Sequence, residues 1–114
     1  MLWADPKADC EGWSDNFERG ISYYYGKNVV DIFVNKNEFD LVCRSHQVVE
    51  EGYEFAFDRK LVTIFSAPNY CGEFTNLAAV LKISEDLICK IEQFEGQPIE
   101  IKKRKRSLTP IRRR

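Results

Sequence analysis

Two side chains suited to phosphate or metal chemistry lie far apart in this chain of 114 residues. His46 is the only histidine, and it follows an apolar stretch at 41–43 that predicts a buried strand. A neutral imidazole there can bind a divalent metal if another group fixes its tautomer. Arg19 precedes a glycine and an aromatic run, where a guanidinium can hold phosphate or carboxylate through two N–H groups. Taken singly, such a histidine is more often structural and such an arginine more often a surface residue.

A third candidate is the segment TIFSAPNYCGEFTN, in which an apolar strand stops at a sharp turn. Pro68 and Gly72 favour that turn, and functional loops are commonly mounted at strand ends. The turn presents three side chains that can contact a ligand, which are Tyr70, Cys71 and Glu73. A plain hairpin connection explains the same pattern equally well.

One helix and five strands are predicted to position these residues. Residues 26–37 place Val30, Phe33 and Val34 on one apolar stripe of a short helix. Strand patterns occur at 39–43, 52–57, 60–67, 76–84 and 87–94. Tight turns are expected at 58–59 and 85–86, and residues 1–20 are expected to be irregular. This order predicts an α+β fold with antiparallel strands.

The composition favours a globular body followed by a basic tail. Hydrophobic residues make up 44% and charged residues 31%, which is ordinary for a soluble domain. The net charge of −1 hides an asymmetry, because residues 1–101 carry 9 basic and 18 acidic side chains. An acidic body argues against nucleic-acid binding. No segment has the apolar length of a membrane span, so neither nucleic acid nor membrane is expected as a partner. One helix is too little cover for five strands, which indicates part of a larger domain.

The four cysteines are spaced too widely for a zinc ribbon or a disulfide framework. They are Cys10, Cys43, Cys71 and Cys89. We therefore expect free thiols in a reducing compartment, with the protein in the cytoplasm, the nucleus or both.

Several motifs occur together in the order found in one family. They are LWADP at 2–6, GW and RG within 12–20, CRSHQVVEEGYEF at 43–55 and LVTIFSAPNYCGEF at 61–74. Over residues 2–94 the chain resembles the C-terminal third of the catalytic subunit of serine/threonine protein phosphatases of the metallophosphoesterase family, most closely the type-1 branch. The resemblance implies that residues 1–96 are the C-terminal portion of a β-sandwich flanked by helices. It also implies hydrolysis of phosphoserine and phosphothreonine in proteins by metal-activated water.

The resemblance assigns a role to each candidate residue. Two divalent metal ions (manganese, iron or zinc) serve the family site, and His46 matches one of their ligands. Arg19 matches the arginine that grips the substrate phosphate, and Tyr70 matches a tyrosine beside it, so both are expected to be catalytic. The remaining substrate-binding positions are Cys71 and Glu73 on the loop and Asp5 on the active-site rim. The side chains at 46, 19 and 70 should therefore converge on one pocket.

The resemblance also implies a groove that binds extended peptides of regulatory or targeting subunits by strand addition. The matching positions are Asp40, Leu41, Phe55, Glu85, Cys89 and Ile91. Ile91 replaces an aromatic residue, so the pocket should be shallower than usual. That the apolar members are simply core residues is an equally good interpretation.

Departures from the family predict that this chain is inactive by itself. The upstream family motifs GDxHG, GDxVDRG and GNHE, which supply the other metal ligands and the proton donor, do not occur here. One histidine cannot hold two metals, so we expect a fragment or half of a split phosphatase. One extra residue between Trp13 and Arg19 is expected to shift Arg19 out of register. Two alternatives are a non-catalytic module that binds regulatory subunits and a chain that does not fold alone.

The tail at 97–114 is predicted to be disordered because it is basic and poor in apolar residues. It contains Thr109 followed by proline, and type-1 phosphatases also end with such a pair that proline-directed kinases recognise. The basic cluster also fits a nuclear-localisation signal. An inert solvated tail fits equally well.

Overall fold

A computed structural model describes residues 2–97, where the chain forms three small sheets and one helix. In chain order the elements are β1 (Asp5–Pro6), β2 (Trp13–Asp15), β3 (Tyr23–Tyr25), α1 (Lys27–Asn37), β4 (Val42–Arg44), β5 (Tyr53–Ala56), β6 (Leu61–Ile64), β7 (Ala78–Ile83) and β8 (Cys89–Phe94). A 3-10 turn at Tyr70–Gly72 lies between β6 and β7. The predictions for Thr109 and the basic tail fall outside the described residues.

The first sheet corrects the expectation that residues 1–20 are irregular. Its strand order is β1-β3-β2, with β1 parallel and β2 antiparallel to β3. β1 has two residues and β2 has three, which is too short for an alternating pattern to be visible in the sequence. These strands exist because the aromatic strand β3 supplies hydrogen-bonding partners on both sides.

The helix matches its prediction within one residue at its start. Val30 and Val34 are buried and form the core cluster with Leu61 of β6. Phe33, predicted on the same stripe, remains 48% exposed. The helix ends at Glu38, whose left-handed backbone (φ 55°) stops further helical hydrogen bonding. The helix therefore covers one face of the second sheet.

The second sheet has the order β4-β6-β5 and contains one parallel pair, within a chain whose strands are expected to be mostly antiparallel. β4 runs parallel to β6, with Cys43 opposite Val62, while β5 runs antiparallel to β6. The turn predicted at 58–59 is present between β5 and β6, and residues 57–59 all have positive φ. β4 begins at Val42 and is an edge strand, so Phe39 and Asp40 are exposed. The strand leading to His46 is therefore half-buried rather than buried.

The predicted hairpin around residues 85–86 is confirmed as β7 and β8, with Ile83 opposite Cys89. It joins the rest of the chain through the Ala79 N–H, which donates to the Phe65 carbonyl at 3.0 Å. Gly52 permits this approach. A Cβ at that position would lie 2.6 Å from the Ala79 nitrogen, and its φ of 78° also favours glycine.

The whole is a mixed α+β arrangement, mostly strands with one helix, and it does not confirm a β-sandwich. Much apolar surface is uncovered in the described region. Large side chains that are at least half exposed include Leu2, Trp3, Phe17, Ile21, Ile32 and Leu87. A cavity of about 500 Å³ is lined mainly by apolar groups, among them Leu2, Trp13, Val29, Phe33 and Val42, with His46 at its margin. Within residues 2–97, no helix has the length and apolar character needed to cross a membrane.

Candidate functional site

The centre of the candidate site is the carboxylate of Asp5, which is only 2% exposed. Asn16 Nδ2 donates to it at 2.8 Å and Arg44 Nη2 at 2.9 Å. Arg19 donates through Nε to one carboxylate oxygen and through Nη2 to the other, the latter at 2.9 Å. Asp5, predicted on the active-site rim, is thus buried in this part of the chain, and its role in substrate binding stays a prediction. β1 buries this residue between Arg19, from the loop after β2, and Arg44, at the end of β4.

The hydrogen-bond network determines the charge state of Asp5. Burial of the carboxyl raises its pKa, but hydrogen bonds from Arg19 and Asn16 and the charges of Arg19 and Arg44 together lower it more. The pKa of Asp5 is therefore below its ordinary value. The hydrogen bond with Asp5 in turn raises the pKa of Arg19. Both partners are thus held in their ionised forms.

Arg19 connects Asp5 to the loop that carries His46. Besides its two bonds to Asp5, its Nη2 donates to the His46 carbonyl oxygen at 2.7 Å. The Arg19 backbone N–H donates to Asn16 Oδ1 at 3.1 Å, which fixes the start of the side chain. Nη1 is the guanidinium nitrogen left without a hydrogen-bond partner among residues 2–97. The Nε and Nη2 edge is therefore occupied, and an external anion would meet Nη1.

His46 lies two residues after β4, and its side chain is exposed. Its backbone has a φ of 88°, in the left-handed region that few residues other than glycine adopt. Its ring meets Trp3 edge to face, with centroids 4.4 Å apart and planes at 72°. The Arg19 guanidinium lies over the same Trp3 ring at 5.9 Å. Trp3 therefore contacts both the predicted metal ligand, His46, and the predicted phosphate-binding residue, Arg19.

Arg44 is a component of this site that the sequence reasoning missed. Its Nη1 donates to Gln47 Oε1 at 2.6 Å and to Thr63 Oγ1 at 3.1 Å, while its Nη2 reaches Asp5. It therefore ties the first sheet, the second sheet and the His46 loop together. A signal was present, since a charged residue at the end of a half-buried strand needs a partner.

Tyr70 occupies a separate, tightly turned loop. The neighbouring Asn69 and Cys71 both have left-handed backbones, with φ of 49° and 56°. Asn76 holds the loop by accepting from the Tyr70 N–H at 3.0 Å and donating to the Ala67 carbonyl at 2.9 Å. Across residues 2–97, no hydrogen bond, ion pair or ring contact joins Tyr70 to Arg19 or His46. Cys71 and Glu73 are exposed on this loop.

The residues present do not fit a pair of metal ions. Residues 2–97 contain no group of three or more histidine, cysteine or acidic side chains placed to hold one. His46 is the only imidazole, and the nearby Asp5 carboxylate is already bound to two arginines. What the described residues offer chemically is a fixed guanidinium, and such a group can donate hydrogen bonds to an anion.

Of the predicted groove residues, Phe55 lies on the second sheet, and Cys89 and Ile91 lie on β8. Cys43 and Phe55 both pair with Val62, so the three side chains form a row on the face opposite the helix. Burial raises the pKa of Cys43, and the nearby Cys89 of β8 raises it further. Leu41 and Ile91 are half-buried, and the predicted acidic neighbours Asp40 and Glu85 are exposed.

The comparisons with known proteins agree with a phosphatase origin. The chain is similar in structure to a serine/threonine phosphatase. That protein is from Saccharomyces cerevisiae and is described as similar to human phosphatase PP5; the TM-score is 0.73 and the sequence identity 32%. The match covers 85% of this chain and 33% of the yeast protein, so the chain spans about a third of its length. This supports the serine/threonine phosphatase family without singling out the type-1 branch. No family model matches the chain.

Proposed function

We propose that this chain is the phosphate-recognising part of a metal-dependent protein serine/threonine phosphatase and is inactive by itself. The observation that carries the proposal is the fixed Arg19, whose Nη1 has no partner among residues 2–97. Two arginines surround the single carboxylate of Asp5, which leaves one positive charge in excess. In a body that is otherwise strongly acidic, this cluster is suited to bind a phosphate group.

Preorganisation is the physical advantage of this arrangement. Arg19 is already held by Asp5 and the His46 carbonyl, so little rotamer entropy is lost when an anion arrives. Its Nη1 carries two N–H groups that can donate to phosphoryl oxygens in charge-assisted hydrogen bonds. Such bonds contribute about 1.5–3 kcal/mol each. In a complete site the same donors would stabilise charge that develops on the phosphoryl oxygens.

Inactivity follows from what the described residues lack. They contain no cluster able to hold a metal, and the chain spans 33% of the phosphatase it resembles in structure. The exposed apolar side chains and the open cavity beside His46 also fit part of a larger domain better than a finished one. Serine and threonine phosphates on proteins are the proposed substrates of the complete enzyme.

The test is a titration of the full chain with inorganic phosphate, in which binding is measured by isothermal titration calorimetry. We expect saturable binding in which Arg19→Gln raises the Kd by about 10- to 100-fold, because one or two charge-assisted bonds are lost. Arg59→Gln is the matched control, since Arg59 is exposed on the turn before β6. Equal binding by both variants would refute the assignment of Arg19.

An activity assay completes the test. The purified chain is incubated with manganese and a phosphothreonine peptide, and released phosphate is measured. We expect no turnover above the peptide-only control. Stoichiometric metal together with turnover would show that the chain is a complete enzyme and refute the proposed inactivity.

The exposed side chains of Cys43 and Phe55, on either side of the fully buried Val62, favour a second function, which is capture of a regulatory subunit. We propose that an extended peptide with apolar side chains lies along this face and β8, with a basic flank beside Asp40 and Glu85. The exposed Phe55 ring, 36% accessible, would be its main apolar contact.

This second function predicts an effect of Phe55→Ala on peptide binding. The probe is a synthetic peptide with a lysine run followed by alternating apolar residues. Loss of most of a buried ring contact should weaken binding about tenfold. Phe74→Ala, which removes an exposed ring on the Tyr70 loop, is the control. Peptide affinity that depends only on the lysine run, and that is the same for Phe55→Ala and Phe74→Ala, would refute the proposed peptide-binding groove.

A further inference from the structure

Arg19 touches two parts of the site at once, and this suggests a role besides phosphate binding. We propose that Arg19 is a positioning residue for His46, because it holds the left-handed backbone that keeps the imidazole against Trp3. The importance of this role for catalysis rests on the proposed function. The hydrogen bond between Arg19 and the His46 carbonyl does not rest on the proposed function, because it is present in this chain by itself.

The conformation of His46 needs a local support. Its φ of 88° is unfavourable for a residue with a Cβ, and it persists only where the surroundings hold it. The Arg19 Nη2 group donates to the carbonyl of this same residue at 2.7 Å. The bond spans 27 residues of sequence, so it is a tertiary contact rather than part of the local turn.

Arg19 is itself rigid enough to provide that support. The Nε and Nη2 groups of Arg19 are both bound to Asp5, which is nearly fully buried. The side chain of Arg19 is 22% exposed. Asp5 is anchored in turn by Asn16 and Arg44. Because His46 follows Arg44, the last residue of β4, by only two residues, the bonds form a closed ring that passes through β1 and back to β4.

The aromatic contact shows what this support does to the side chain. The Trp3 ring lies 4.4 Å from the imidazole and 5.9 Å from the guanidinium, so it contacts both groups. A turn released by loss of the Arg19 bond would rotate the Cα–Cβ vector of His46 and move the imidazole off Trp3. The exposed imidazole has no hydrogen bond of its own within the described region, so nothing else there fixes its direction.

The experiment uses the fact that His46 is the only histidine, so its two imidazole C–H signals are unambiguous. NMR spectra of the full chain are compared with those of Arg19→Lys, Trp3→Ala and the control Arg59→Lys, at one pH and without phosphate. Arg19→Lys keeps the positive charge beside Asp5 but lacks the planar fork. Trp3→Ala defines the signal position of an imidazole without the indole.

We expect Arg19→Lys to move the imidazole signals most of the way to their Trp3→Ala positions and to remove the cross-relaxation between the Trp3 and His46 rings. Arg59→Lys should leave both unchanged. A folded Arg19→Lys variant whose imidazole signals and Trp3 contacts match those of the unmodified chain would overturn the inference. If Arg19→Lys unfolds, Asn16→Ala decides by the same criterion, because it removes the support of the Arg19 backbone N–H and keeps the Arg19–Asp5 ion pair.

The outcome is separable from that of the proposed function. Absence of phosphate binding at Arg19 would refute the proposed function and leave the positioning role standing. Imidazole signals that stay unchanged in Arg19→Lys would refute the positioning role, even if phosphate still binds to the unmodified chain.

Discussion

Replacing Arg44 by methionine tests whether the buried carboxylate of Asp5 organises this region. The substitution keeps an apolar stem of similar length and removes the guanidinium, so packing is largely preserved. It deletes a 2.9 Å charge-assisted bond to Asp5 and weaker bonds to Thr63 and Gln47. A charge-assisted bond contributes about 1.5–3 kcal/mol. Removing one member of a buried ion pair can cost about 3–5 kcal/mol.

The cost of Arg44→Met should lie at or below the lower end of the range of about 3–5 kcal/mol for an ion pair. The reason is that Asp5 keeps its bonds to Arg19 and Asn16. We expect the free energy of unfolding to fall by about 2–3 kcal/mol at pH 7. Urea unfolding followed by circular dichroism measures it. Arg59→Met is the control and should change the value by less than about 0.5 kcal/mol. In the Asp5→Asn variant, Arg44→Met should cost clearly less, because its charged partner is gone.

The loss of unfolding free energy caused by Arg44→Met should also depend on pH, and it should become smaller as the pH falls. The folded-state pKa of Asp5 is below its unfolded value of about 3.9. Its contribution to stability is therefore complete above that pH and is lost as the pH falls through the folded-state pKa. Without Arg44 the folded-state pKa rises, so the two proteins should become more similar in stability as the pH drops below about 4. A difference independent of pH, or one below 0.5 kcal/mol at pH 7, would refute the reasoning.

Two further substitutions test other parts of the fold. Asn76→Ala removes the hydrogen bonds that hold the Tyr70 loop and should lower the free energy of unfolding by about 2 kcal/mol. The NMR signal of the Tyr70 amide should broaden, and an unchanged signal would show that the loop keeps its conformation without Asn76. Gly52→Ala should cost about 3 kcal/mol, because its Cβ would meet the Ala78 backbone carbon at 2.5 Å in a left-handed residue. Gly20→Ala, also left-handed but facing open space, should cost about 1–2 kcal/mol in the same unfolding assay, and equal losses would contradict the steric argument.

Elements defined by local pattern were predictable from the sequence. The helix follows from the spacing of Val30 and Val34, which are its two buried residues. The β7–β8 hairpin follows from two apolar runs around a polar turn. In both cases the information lies within about a dozen residues, where side-chain periodicity directly reflects which face is buried.

Features set by distant partners were not predictable in this way. Alternation along β4 shows which residues share a face, but it does not show that the neighbour is β6 or that the pair is parallel. The burial of Asp5 likewise depends on Arg44, which lies 39 residues away. An acidic residue beside a proline looks like a surface turn when it is considered locally, and only the arriving arginines make its burial tolerable.

The long sequence separations within the Asp5 network have a consequence for the order of folding. Its arginine bonds span 14, 27 and 39 residues, so each one closes a loop whose entropy cost precedes any gain. The helix and the hairpins need only nearby partners and should form earlier. A nascent or partly denatured chain can therefore be rich in secondary structure and still lack the proposed affinity for anions, since the cluster that would bind them is assembled only when the most distant contacts are made.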